Sequence, residues 1–253
     1  MEHKTFRVVT SISILFIIGI VTAFNLVNDF TAKIVLKVCP VTILLTLTFF
    51  YILHYKFTYY AFFTSIALSF CLLGDVFMTL YDPRLVGEIS DKKFYLIMGG
   101  TSFLTARFVL IFVFGFKKFN FKILISHISF TLPFVILGIV FLVYFEYTKL
   151  SVLTFLYLVL GFGIQLSYAF LRINNFPEES VAASVFGFLG MFCFNISDIF
   201  LLTTMLTNLL PNYTINISNC IYWLSMILIT ISIVRYSKSS HEKEIDLKGL
   251  TYI

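Results

Sequence analysis

The stretch TYYAFFTSIALSFCLLGDVFMTLY, residues 58–81, contains one charged side chain, Asp75. About 20 mostly apolar residues suffice to cross a bilayer as a helix, and this run is long enough. A second apolar run carries FNISDIF at 194–200, which repeats the local pattern of CLLGDVF at 71–77. In both, a small residue (Gly74, Ser197) precedes an aspartate (Asp75, Asp198), and a β-branched residue and a phenylalanine follow. The two stretches lie four helices apart, the spacing that a four-plus-four duplication would produce.

Composition extends the reading to the whole chain. Hydrophobic types make up 59% of the 253 residues and charged types 12%. A soluble domain carries roughly 25% charged residues. With a mean hydropathy of +0.97, the expected fold is all-α, a polytopic transmembrane bundle of about eight helices. They are expected at roughly 7–27, 33–54, 58–81, 94–116, 121–145, 150–171, 181–206 and 216–236. The first is read as a signal anchor, since no small-residue cleavage site follows it. Pro133 and His127 lie on the fifth, where a proline is tolerated as a kink. The segments YDPRLVGEISDKK (81–93) and RINNFPEES (172–180) read as loops. The chain thus divides into a transmembrane domain, 1–237, and a charged cytoplasmic tail, 238–253, expected to be disordered.

Eight spans put both termini on one side. That side holds Lys4, Arg7, Lys56, Lys117, Lys118, Lys122, Arg172, Arg235 and the three lysines of the tail. The other side holds six lysines and arginines, and Arg107 lies inside the fourth span. Positive charge gathers in the cytoplasm, so both termini are expected there. The sequons Asn212-Tyr-Thr214 and Asn216-Ile-Ser218 then fall in the last outer loop, as in an endoplasmic reticulum membrane if the source is eukaryotic. Asn195-Ile-Ser197 lies inside a span. The net charge of +5 is topogenic, and no basic stripe interleaved with aromatics points to nucleic acid. The four cysteines form no CxxC pair and the histidines are scattered, so neither a metal site nor a disulfide framework is expected. No cofactor is implied.

Only two of the 13 acids, Asp75 and Asp198, lie well inside spans. A charge at mid-helix costs about 2.5–3.5 kcal/mol on insertion scales, which makes such a residue a functional candidate by default. Asp75 lies about 9 Å, and Asp198 about 12 Å, from the outer ends of two spans that run in the same direction. Lys37 enters to about 6 Å from that side. Asn195 shares a helix face with Asp198, and Tyr222 enters at a similar level. These residues are expected to line one polar cavity. The competing reading is a pair of packing salt bridges to Lys37 or Arg107, with Arg107 either snorkelling to the interface or clamping an aspartate.

Five segments, taken in order, resemble the lysoplasmalogenase (YhhN-like) family of multi-pass membrane proteins. They are LKVCP (36–40), SFCLLGDVFMTL (69–80), YLVLGFGIQLSYAF (157–170), GFLGMFCFNISDIFLL (187–202) and IYWLS (221–225). Where the family shows Ala-His-x-x-Tyr, this chain reads Ala106-Arg107-Phe108-Val109-Leu110, and Met226 stands where a glutamine is expected. The resemblance implies hydrolysis of the vinyl ether of lysoplasmalogens to a fatty aldehyde and a glycerophospho-base. Asp75 and Asp198 would be the catalytic pair, one as general acid, the other ionised to stabilise an oxocarbenium ion or activate water. Which is which stays open; Asn195 beside Asp198 leans the acid toward Asp75. Lys37, Arg107, Asn195 and Tyr222 would bind substrate, with Lys37 or Arg107 on the lysolipid phosphate or on the ionised aspartate. The partners implied are a lysophospholipid and membrane lipids, with a homodimer as the candidate assembly. The rival readings are a proton-coupled transporter, built from the same intramembrane charges, and a non-catalytic lipid-binding relative.

Overall fold

In the computed structural model the described residues are 3–27, 29–54, 59–81, 92–115, 121–144, 149–175, 181–207 and 213–250. All of them except Val27 and Asp29 are helical, and no strand occurs among them. The helices are α1 (His3–Leu26), α2 (Phe30–His54), α3 (Tyr59–Tyr81), α4 (Lys92–Gly115), α5 (Phe121–Tyr144), α6 (Lys149–Tyr157), α7 (Leu166–Asn175), α8 (Val181–Thr207) and α9 (Tyr213–Leu250). A π-helical stretch, Leu158–Gln165, joins α6 to α7 without a break, so eight helical rods form the bundle. Six of them carry a span long and apolar enough to cross a membrane. The other two hold shorter apolar segments, Ser11–Phe24 and Thr154–Phe170. The chain is an integral, multi-pass membrane protein.

Local chemistry sets several boundaries. Asp29 caps α2, its carboxylate accepting the Ala32 amide at 2.8 Å. Helix α7 runs to Asn175, into the stretch expected to be a loop, and Pro177 follows. The residue before a proline is pushed out of the helical region, so polarity alone placed the stop too early. Helix α9 also begins earlier than expected, which puts the sequon Asn216-Ile-Ser218 inside the helix rather than in a loop. The same helix continues to Leu250, so the segment 238–250 is helical instead of disordered. Its sequence is rich in Glu, Lys and Leu, all good helix formers, and it extends a helix already nucleated in the span. Residues 82–91, most of the stretch expected to be a loop, Asn212 and residues 251–253 lie outside the described residues.

The bundle is built on two close pairs, α3 with α4 and α8 with α9, with α2 against α3 and α9. Small residues permit this. A Cβ on Gly74 would lie 2.8 Å from the Phe103 ring, and one on Gly190 would lie 3.0 Å from the Ile229 backbone nitrogen. Apolar burial between helices gains little when lipid is the solvent, so packing and polar links hold such pairs together. Tyr51 donates to the Val234 carbonyl (3.2 Å), Ser232 to that of Ala183 (2.5 Å) and Tyr157 to that of Gly100 (2.9 Å). Helix α5 is peripheral; Ile128, Leu132, Ile136, Val140 and Val143 on it are exposed.

Candidate functional site

Two buried polar groups sit on the four central helices. In the first, Asp75 on α3 is 1% exposed, and its Oδ2 accepts the Tyr222 hydroxyl from α9 at 2.9 Å. Lys37, half-buried on α2, is the cation whose field reaches this carboxylate. The Cys71 thiol, one turn before Asp75, lies within hydrogen-bonding reach of Tyr222.

The second group is centred on Arg107. It does not snorkel: it is 0% exposed, at the middle of α4. Its Nε donates to Asp198 Oδ2 at 3.1 Å, and its Nη2 forms the ion pair with the same oxygen. Nη2 also reaches the Phe194 carbonyl at 3.4 Å. Nη1 donates to Gln165 Oε1 at 3.0 Å and to Asn195 Oδ1. A guanidinium has five N–H donors, so each is matched by one protein acceptor. The Phe194 ring lies 4.2 Å from the guanidinium carbon and the Tyr157 ring 5.2 Å, which adds cation–π contact. Asp198 keeps 11% of its side chain exposed. Among the described residues both Arg107 contacts fall on its Oδ2, and none on Oδ1.

Rings join the two groups. Phe103, Phe194 and Tyr222 touch pairwise, with centroids 5.7 Å apart for Phe103–Tyr222 and for Phe194–Tyr222, and 6.4 Å for Phe103–Phe194. Tyr222 thus holds Asp75 and packs at a tilt of 49° against Phe194, and Phe194 lies under the arginine that holds Asp198. Cys71 lies within the electrostatic reach of Asp75, Asp198 and Arg107 together. Asp198 is thus ion-paired with Arg107, whereas Asp75 accepts a neutral hydroxyl within the field of Lys37.

The π-helical stretch makes the Arg107 group fit. A Cβ on Gly161 would lie 2.5 Å from both Arg107 Nη1 and Asn195 Oδ1. The freed Gly161 carbonyl accepts both the Leu166 amide and Asn195 Nδ2, the latter at 3.2 Å. π-helical segments recur at functional sites because they redirect backbone groups in this way. Gln165, Gly161, Tyr157, Phe194 and Cys71 were not singled out in the sequence. One signal was present for Gln165, a carboxamide alone inside an apolar run; the rest depend on which helices meet.

A separate polar pair lies between α5 and α7. His127 Nδ1 is 2.7 Å from Ser167 Oγ, and the imidazole stacks on Tyr168 at 3.8 Å. Ser167 donates its one proton to the Ile164 carbonyl at 2.8 Å, so Nδ1 is the donor to Ser167. Among the described residues no three His, Cys, Asp or Glu side chains converge as metal ligands would.

No curated protein and no solved structure matches the chain. The model of the YhhN family matches residues 32–233, a stretch that contains both carboxylates, Lys37, Arg107 and every aromatic of the site. The chain belongs to the YhhN family.

Proposed function

We propose that the protein is a membrane-embedded hydrolase that cleaves the vinyl ether bond of lysoplasmalogens, releasing a fatty aldehyde and a glycerophospho-base. The observation that carries this reading is the unlike settings of two buried carboxylates. Asp198 is paired with a permanent cation and is therefore the ionised member. Asp75 is paired with a neutral hydroxyl and only a half-buried lysine, which suits it to carry the proton.

The roles follow from the chemistry. Asp75 protonates the β-carbon of the vinyl ether, and the double-bond electrons leave an oxocarbenium ion. The Asp198 carboxylate stabilises that ion and takes a proton from water as the water oxygen adds to it through the Oδ1 side. The resulting hemiacetal gives its hydroxyl proton to the Asp75 carboxylate as the carbon–oxygen bond to glycerol breaks, the glycerol oxygen takes the proton held by Asp198, and the aldehyde leaves with both carboxyls restored. Two carboxyls divide acid and base work in the same way at glycosidic acetals. Arg107, with every donor engaged inside the protein, holds Asp198 and leaves the lysolipid phosphate to Lys37. Cytoplasmic termini, supported by the lysine and arginine distribution, and an endoplasmic reticulum location for a eukaryotic source, suggested by the sequons Asn212-Tyr-Thr214 and Asn216-Ile-Ser218, are part of the same proposal.

The decisive assay incubates purified protein in detergent with a lysoplasmalogen and detects aldehyde. Wild type is expected to release it, and Asp75→Asn to lose at least ~100-fold in rate, the usual contribution of a general acid. No aldehyde from wild type, or an undiminished rate in Asp75→Asn, would reject the reading. One observation favours a non-catalytic lipid binder as the alternative: the Arg107–Asp198 pair is fixed on every donor, as a structural link would be. Lipid retained through purification without aldehyde release would select it.

A further inference from the structure

Gln165 has a feature that the hydrolytic scheme leaves unused. It is 0% exposed, its Oε1 accepts from Arg107, and its Nε2 is a buried donor with no partner among the described residues. Turning the amide over does not remove the orphan. Arg107 is a donor only, so rotation would set Nε2 against Nη1 and strand both. Asn195, which faces the same guanidinium nitrogen, places its Nδ2 on the Gly161 carbonyl. Gln165, the last residue of the π-helical stretch, has no such outlet. Buried donors in folded proteins are almost always satisfied, so one without a partner calls for an explanation, and a ligand oxygen supplies one.

The charge of the surroundings restricts the ligand. Asp198 neutralises Arg107, and all five arginine donors are engaged. A phosphate at Gln165 would lack a free cation and would face a carboxylate. A neutral oxygen, accepting one amide hydrogen, fits. We propose that Gln165 Nε2 binds the free hydroxyl of the glycerol backbone of a single-chain lipid, and so selects lysolipids over their two-chain parents. This rests on the lipid class proposed above, but not on hydrolysis. Esterification of that hydroxyl would bring a second acyl chain against a fully buried amide.

The test compares two non-hydrolysable ligands, a 1-O-alkyl lysophospholipid and its analogue lacking the 2-hydroxyl, by titration calorimetry in detergent. Wild type is expected to prefer the hydroxyl-bearing ligand by roughly tenfold, the range of one neutral hydrogen bond. Gln165→Met keeps the length of the side chain without a donor, and the preference, read as the ratio of the two affinities, should fall to near unity. Gln165→Glu keeps an acceptor for Arg107 and should lose the preference too. A tenfold preference that persists in both variants, or no preference in wild type, overturns the proposal. So does a wild type that binds neither ligand. Because these ligands cannot be cleaved, aldehyde release from a lysoplasmalogen reports on hydrolysis independently.

Discussion

At the scale of single residues, Arg107 decides the most. Lysine keeps the charge but offers three donors from one point and cannot reach acceptors on opposite edges of a planar fork. Arg107→Lys is expected to strand Gln165 Oε1, Asn195 Oδ1 or the Phe194 carbonyl and to cost about 3 kcal/mol, the scale of breaking a buried charge network. Thermal unfolding in detergent reads it. Asp75→Asn is the cleaner catalytic control. Its remaining oxygen still accepts from Tyr222, so its melting temperature should stay within a few degrees of wild type while the rate falls. Asp198→Asn leaves the guanidinium buried without its counter-charge and should melt well below both. Asp75 and Asp198 were legible in the sequence because a carboxylate is rare in an apolar run. The identity of each partner was not, since Arg107 lies 91 positions from Asp198 and Tyr222 147 from Asp75. Only the meeting of α4 and α8 with the π-helical stretch, and of α3 with α9, chooses among the buried cations and hydroxyls.

At the scale of elements, the π-helical stretch is where position matters more than residue type. Gly161→Ala puts a methyl group against Arg107 and Asn195, whose side chains are held by their own bonds. It is expected to cost as much as Arg107→Lys and to lower any activity in parallel. Gly19→Ala on α1 is the control: nothing lies within 4 Å of its added Cβ. That change should be neutral or stabilise by up to about 1 kcal/mol through helix propensity. Both substitutions replace glycine inside an apolar run, and the sequence offers no means of telling them apart. The spans themselves were legible to within a few residues because hydropathy and length determine them. Their ends moved where the helix outlasted the apolar run, at Arg172–Asn175 and beyond Tyr236. There, backbone hydrogen bonding and propensity continue after hydrophobicity stops.

At the scale of the molecule, eight rods that all cross the membrane would set both carboxylates on helices that run the same way, with both termini in the cytoplasm. A protease-cleavable tag after Ile253 is expected to be cut in sealed membranes oriented cytoplasm-out, and a tag in the 82–91 loop to be protected. The class of fold was plain from composition, but the pairing of helices was not. No periodicity in such uniformly apolar runs says which face meets which neighbour, and that is settled by Gly74, Gly190 and a few cross-helix hydroxyls. Trp223 adds a practical consequence. It is the one tryptophan of the chain, 1% exposed, set edge-on to Phe24 at 5.3 Å, and it follows directly on the tyrosine that holds Asp75. All indole emission therefore originates from a single point between α1 and α9, beside the acid half of the site. The protein carries its own spectroscopic probe: Phe24→Ala should shift the emission to longer wavelength, and a ligand that displaces Tyr222 should change it without any label.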